Sequence, residues 1–112
     1  MIQVTIQRSK DGFIRSFTLK GHADFAEHGK DIVCAGVSAV SFGTVNAVIK
    51  LAKVEPLIKQ ADGGGFLQFQ LPDKMETESF AKAQVLLEGM VVSLKTIEQQ
   101  YGEFIQIHIH QE

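Results

Sequence analysis

The chain has 112 residues, of which 45 % are hydrophobic and 21 % are charged, and its formal net charge is −2. This length fits a single domain, residues 1–112, with one core, and the absence of excess basic charge argues against direct nucleic-acid binding. The first residues alternate like a strand rather than a secretory signal, and no apolar run approaches a membrane span. With a single cysteine, no internal disulfide can form. We expect a cytoplasmic protein with a free thiol and no membrane partner.

An opening β-hairpin is predicted by alternating apolar and polar residues. Ile2, Val4 and Ile6 would form the buried face of the first strand, and Asp11-Gly12 is a turn signal. One face of the second strand is predicted to carry Phe13, Arg15, Phe17 and Leu19. Residues 21–30 break the alternation, so we expect a loop there.

A helix is predicted to begin after Asp31, whose carboxylate can accept hydrogen bonds from the amides of a first turn. It would extend from about Ile32 to about Ala52. Its apolar stripe is predicted to contain Val33, Val37, Val40, Thr44, Val48 and Leu51. The helix is rich in small residues, which would let it pack closely against the sheet or a second subunit.

The second half of the chain predicts two strands, a long helix and a final strand. These elements are expected at 54–60, 66–71, 76 or 77 to 101, and 104–110. Pro56 favours an edge position for the third strand, and Gly63-Gly64-Gly65 predicts a simple hairpin turn. The order ββαββαβ predicts an α+β two-layer sandwich, with two helices on one face of a mixed, mostly antiparallel sheet.

Cys34 is the first candidate for chemistry. As the third residue of the helix, it would lie near unpaired amides and the positive end of the helix dipole, both of which favour a thiolate. The same amides, including that of Cys34, could hold an oxyanion. The alternative is a small buried core residue, which is common for free cysteine.

Two histidines in the loop could act as the base for this thiol. His22 follows Gly21, whose freedom could let the loop bring the imidazole over the sulfur. His28 is the second candidate, although its charged neighbours suggest an exposed position. Each could also be an ordinary solvated histidine.

Three polar residues could support this pair. Asp31 or Asp24 could orient the histidine, although Asp31 could equally serve only as the helix cap. Ser38 lies one helical turn beyond Cys34, so it could hydrogen-bond near the thiol or satisfy a backbone carbonyl.

A second histidine pair, His108 and His110, has a spacing that can hold a metal on one strand face. No third ligand is apparent nearby in the sequence, so we favour an exposed strand face. We therefore predict no metal and no cofactor.

The segments Gly21-His22-Ala23 and Gly29-Lys30-Asp31-Ile32-Val33-Cys34-Ala35-Gly36-Val37-Ser38 resemble the ribosomal-processing cysteine protease family, Prp. The similarity in arrangement extends over essentially the whole chain. It implies a cysteine endopeptidase that removes the N-terminal extension of large-subunit ribosomal protein L twenty-seven, a step required for ribosome assembly and function. It also implies cleavage after an aromatic residue and a homodimer.

The resemblance implies roles for individual residues as well. The nucleophile falls on Cys34, the catalytic histidine on His22 and the loop hinge on Gly21, while Asp31 and Ser38 fall on supporting polar positions. The alternative function is a non-catalytic, ribosome-associated binding module, because small α+β folds host many binding functions.

Overall fold

The computed structural model describes residues 1–27 and 29–112, and in these residues a five-stranded sheet is covered by two helices. The elements in chain order are β1 (Ile2–Arg8), β2 (Ile14–Lys20), α1 (Ile32–Ala47), β3 (Leu57–Gln60), β4 (Phe66–Gln70), α2 (Thr77–Tyr101) and β5 (Ile105–Gln111). The predicted order ββαββαβ and the α+β class are confirmed.

The strand order across the sheet is β3-β4-β2-β1-β5. β1 pairs with β5 in parallel, whereas β1–β2, β2–β4 and β3–β4 pair antiparallel, so the mixed, mostly antiparallel sheet is confirmed. β3 lies at an edge, as Pro56 predicts. It begins at Leu57 rather than at residue 54, because proline has no N–H to donate to a ladder.

The core lies between one face of the sheet and the two described helices, which pack against each other and cover that face. The sheet contributes alternate side chains of its strands, and the helices contribute one side each. The buried residues of α2 are Ala83, Gln84, Leu87, Met90, Val91 and Leu94. Helical spacing predicts an apolar stripe on α2 formed by Phe80, Leu87, Met90, Val91, Leu94 and Ile97. The middle four are buried and the outer two are partly buried, while Ala83 and the polar Gln84 are additions.

The predicted face of β2 is wrong at its start. Ile14 and Phe17 are fully buried, whereas Phe13 is 45 % exposed. The register between β1 and β2 shifts between Gln7 and Arg8. A bulge of this kind places an extra residue in one strand and reverses which face the following side chains occupy.

α1 continues into a π-helical turn at Val48–Ala52 and ends at Lys53, which has a left-handed φ of +57°. The predicted start and end of this helix are confirmed. Its predicted stripe is partly wrong, because Leu51 is 56 % exposed while Ser41 and Val45 are buried. Since α1 is apolar on most of its sides, periodicity does not identify which side faces the sheet.

Within the described residues, one helix, Ile32–Ala52, is long and apolar enough by length and composition to cross a membrane, with a mean hydropathy of 1.9. The core helix of a soluble protein passes the same test, and the inner side of this helix does pack into the core. Its other side leaves exposed a surface that we call the outer face of α1, formed by Ile32, Ala35, Ala39, Phe42 and Ile49.

Two polar contacts join α2 to the hairpin at the end of the sheet away from the start of α1. Gln84 is buried, and its side chain accepts from the N–H of Ile14 at 2.9 Å and donates to the carbonyl of Ile14 at 2.8 Å. Arg8 forms two hydrogen bonds with Glu88, at 2.7 and 2.8 Å. Arg8 also donates to the carbonyl of Gly12 at 2.8 Å.

Candidate active site

The carboxylate of Asp31 joins the start of α1 to the preceding loop. One oxygen accepts from the N–H groups of Val33 and Cys34, both at 3.0 Å, so the predicted helix cap is confirmed. The other oxygen accepts from the N–H groups of Phe25 at 2.9 Å and Ala26 at 3.2 Å. Asp31 therefore fixes the position of the loop relative to the helix.

Asp31 is buried, and burial by itself favours the neutral acid. The backbone hydrogen bonds outweigh this effect and hold the pKa of the Asp31 carboxyl below its ordinary value. Because its carboxylate engages the amides of Val33 and Cys34, the expectation that the Cys34 amide serves an oxyanion is wrong for this arrangement.

Cys34 lies in the first turn of α1 and is half-buried, with one side against the core and the other toward a cavity. Its Sγ accepts a hydrogen bond from the N–H of Ala23 at 3.3 Å. Ala23 is itself buried and directly follows His22. A backbone N–H directed at sulfur stabilises negative charge there, so the loop that carries the histidine also supports the nucleophile candidate.

His22 is exposed at the rim of the same cavity, and its imidazole lies against Gly65 in the β3–β4 turn. Gly21, immediately before it, has a φ of +94° and donates its N–H to the carbonyl of Gly65 at 2.8 Å. A Cβ on Gly21 would collide with the carbonyl oxygen of Met1. Close packing thus requires glycine at position 21, and the hinge remains a prediction.

The cavity has a volume of about 560 Å³, which suits several residues of an extended peptide. The predicted site residues all line it, namely Gly21, His22, Asp31, Cys34 and Ser38. Its apolar wall includes Leu19, Phe42 and Phe66. The structure therefore brings the polar candidates together beside a surface that can receive an apolar side chain.

Of the other polar candidates that the structure describes, Asp24 lies at the cavity, and His108 and His110 lie away from it. Asp24 lines the cavity and is 3.6 Å from the amino group of Met1. His28 lies outside the described residues. His108 and His110 are exposed on β5, and the Nε2 of His108 is 2.8 Å from the Oε1 of Gln3 on β1. Across residues 1–27 and 29–112, no group of three or more His, Cys, Asp or Glu side chains is arranged to hold a metal ion.

Sequence reasoning missed the groups of the main chain that shape the site. The amide of Ala23 and the carbonyl of Gly65 carry no side-chain signal. The glycine run 63–65 does form the predicted turn between β3 and β4, and it also supports His22. The available signal for this contact was the glycine run itself, because glycine permits a positive φ and a close approach of the main chain.

The site combines a half-buried cysteine at a helix start, a histidine from the adjoining loop and a cavity of peptide size. This combination is typical of one class of protein, the thiol-dependent hydrolases. The family model described as "Cysteine protease Prp" matches residues 1–106. The chain therefore belongs to the Prp family and is a cysteine protease.

Individual relatives agree with this assignment. The ribosomal processing cysteine protease Prp of Bacillus subtilis is 54 % identical over 107 residues, which are 96 % of each chain. The crystal structure of Prp from S. aureus with a covalently linked product peptide superposes with a TM-score of 0.89 at 43 % identity, covering 98 % of this chain and all of that one. A second S. aureus structure, with a substrate peptide, gives a TM-score of 0.84 at 41 % identity and the same coverage.

Proposed function

We propose that this protein is a cytoplasmic endopeptidase that removes the N-terminal extension of large-subunit ribosomal protein L twenty-seven and is thereby required for ribosome assembly and function. The observation that carries the proposal is the shared cavity of Cys34 and His22, with the N–H of Ala23 directed at the sulfur. The relatives named as ribosomal processing proteases support the substrate class.

In the proposed reaction, the Cys34 thiolate attacks the scissile carbonyl carbon while His22 holds the proton taken from the thiol. The tetrahedral intermediate collapses when the C–N bond breaks and His22 gives that proton to the leaving amine, which leaves a thioester on Cys34. Water, deprotonated by His22, then attacks the thioester and releases the acid and the thiol. No metal or cofactor takes part in these steps.

The supporting residues act on this pair through position. Asp31 fixes the loop against the helix start, and the N–H of Ala23 stabilises charge on the sulfur before attack. Ser38, one turn beyond Cys34, lines the same cavity and contributes a hydroxyl to its polar side. Gly21 serves as the hinge at which the His22 loop adjusts to the substrate.

The apolar wall favours a substrate with a large apolar side chain next to the scissile bond. Leu19, Phe42 and Phe66 form a surface of the kind that aromatic side chains bind. This agrees with cleavage after an aromatic residue of the extension.

The homodimer is supported by the part of the outer face of α1 that lies outside the cavity, formed by Ile32, Ala39 and Ile49. Contiguous apolar surface on one helix is typical of a subunit interface. Sedimentation velocity should give a dimer for the wild type and a monomer for Ile49→Lys, because Ile49 is 42 % exposed and a charge there would be buried by a partner.

The decisive experiment incubates the wild type and Cys34→Ala with ribosomal protein L twenty-seven that carries its extension, and with the same protein lacking it. The wild type should shorten only the extended form, and Cys34→Ala should leave both intact. Full cleavage by Cys34→Ala would contradict the proposal.

Thiol reactivity distinguishes the protease from a ribosome-associated binding module. In the protease, Cys34 should react with iodoacetamide faster than a small model thiol near neutral pH, because the thiolate is the reactive form. A slow thiol in a protein that binds the extension without cutting it would favour the binding module.

A further inference from the structure

The turn between β3 and β4 approaches the ring of His22 so closely that a Cβ at position 65 would displace the ring. A Cβ added to Gly65 would lie 2.7 Å from Nε2, 3.2 Å from Cε1 and 3.4 Å from Cδ2 of His22. Nε2 and Cε1 are the two ring atoms farthest from the main chain of His22. The bare Cα of Gly65 therefore forms the surface against which the ring lies.

In this structure, main-chain hydrogen bonds hold the backbone on both sides of this contact. Gly65 accepts the N–H of Gly21 at 2.8 Å through its carbonyl, and the next residue, Phe66, pairs with Lys20 in the β2–β4 ladder. The ring of His22 is exposed and is joined to its main chain through two rotatable bonds. When a methyl group is added at position 65, the ring of His22 is therefore the part that moves.

We propose that Gly65 is a positioning residue for His22, and that the absence of a Cβ there sets where Nε2 lies at the rim of the cavity. This inference rests on the role proposed above for His22. A displacement of about 1 Å in a catalytic group can cost about 100-fold in rate, so one methyl group is enough to expose the effect.

The same turn contains a control for backbone strain. Gly64 has a φ of +81° and Gly65 has a φ of +78°, so alanine is strained at both positions. A Cβ at Gly64, however, meets no heavy atom within 4 Å among the residues that the structure describes. Gly64→Ala therefore reproduces the strain of Gly65→Ala without the contact to His22.

The first test compares the two variants in cleavage of the extended ribosomal protein. Gly65→Ala should lower kcat/KM by about 100-fold relative to Gly64→Ala, while the two lower Tm by similar amounts. Gly65→Ala should also change the pH profile of kcat/KM, which strain in the turn would leave unaltered. Equal kcat/KM values for the two variants would overturn the proposal.

The second test needs no substrate, so it separates this inference from the proposed function. In protein labelled with ¹³C-histidine, the ring signal of His22 is assigned by its loss in His22→Asn. That signal should shift in Gly65→Ala and stay in place in Gly64→Ala. An unmoved His22 signal in folded Gly65→Ala would refute the positioning role.

A double variant covers the case in which Gly65→Ala does not fold. Adding His22→Ala removes the ring that the new methyl group would strike. The double variant should then recover the Tm of Gly64→Ala, because only strain remains. A double variant that stays unfolded would overturn the proposal, since the obstacle would not be His22.

Discussion

The two ends of the sheet are fixed by different kinds of groups. At the end that carries the cavity, main-chain N–H groups are the donors: Ala23 donates to the sulfur, Gly21 to the carbonyl of Gly65, and the amides of the loop to Asp31. At the opposite end, the long side chains of Gln84 and Arg8 connect α2 and the hairpin.

This difference predicts which property each end controls. Main-chain contacts hold the loop and the turn that place His22 at the rim of the cavity that Cys34 also lines, so substitutions there should change the rate of cleavage. Side-chain contacts at the opposite end join a helix to a hairpin far from the cavity, so substitutions there should change the free energy of unfolding. The predictions below test this separation in order of expected size.

The largest expected effect is on activity alone. His22→Asn should reduce kcat/KM on the order of 1000-fold, because it removes the general base and acid. Since His22 is exposed, the urea midpoint of unfolding should stay at the wild-type value. His110→Asn, an exposed histidine on β5, is the matched control and should retain wild-type activity. A large loss of stability in His22→Asn would contradict the separation between residues that control activity and residues that control stability.

Gln84→Leu is expected to lower stability and to leave activity unchanged. It leaves the buried N–H and C=O of Ile14 unpaired, which should lower the free energy of unfolding by about 3 kcal/mol in urea denaturation. The kcat/KM of the folded fraction should not change. Gln99→Leu, at an exposed position of the same helix, should cost less than about 0.5 kcal/mol. Equal costs at the two positions would contradict the role of Gln84.

Asp31→Asn separates the helix cap from the loop contact. Asparagine is a favoured cap residue, so far-UV circular dichroism should stay unchanged. Its amide group would meet the N–H groups of Phe25 and Ala26, and the released loop should lower kcat/KM about tenfold. Wild-type kcat/KM in this variant would show that the loop keeps its position without the second oxygen.

The smallest effect is expected for the ion pair between Arg8 and Glu88. A double-mutant cycle with Arg8→Met and Glu88→Gln should give a coupling of about 1 kcal/mol at most, because Glu88 is 46 % exposed and solvent screens the charges. The exposed pair of Lys82 and Glu78 is the control, and its coupling should be about 0.3 kcal/mol.

The Arg8–Glu88 coupling should also depend on pH. The hydrogen bond from Arg8 lowers the pKa of Glu88, and the same contact raises the pKa of Arg8. A lowered carboxyl pKa contributes stability that is present above the ordinary value of about 4.3 and is lost as pH falls through the folded value. A coupling that persists well below that pH would contradict the ionic contribution.

The sequence predicts those parts of the fold that repeat with a regular period or have a local signal. Alternation located β1 and β4, and Asp31 located the start of α1 because a capping carboxylate acts over only three residues. The side of α1 that faces the sheet could not be predicted, because apolar residues occur around most of its circumference. The bulge in β2 depends on register with β1, a contact between strands that no local pattern encodes.

The candidate site also has parts that the sequence predicts and parts that it does not. Cys34, His22, Asp31 and Ser38 could be singled out because they are side chains with recognisable chemistry, and the family resemblance implied their roles. The contacts of Ala23 and Gly65 arise only when distant segments of main chain meet in the folded sheet. Likewise, the pairing of Gln84 with Ile14 spans 70 positions in the chain.

The hydrogen bond from Ala23 to the sulfur has a consequence for mutational scanning. An alanine scan cannot test this bond, because position 23 is already alanine and the donor belongs to the peptide unit. A scan with side-chain replacements would therefore rate position 23 mainly by how well each side chain fits its buried surroundings. Proline has no N–H, so it is the one natural substitution at position 23 that removes the donor itself.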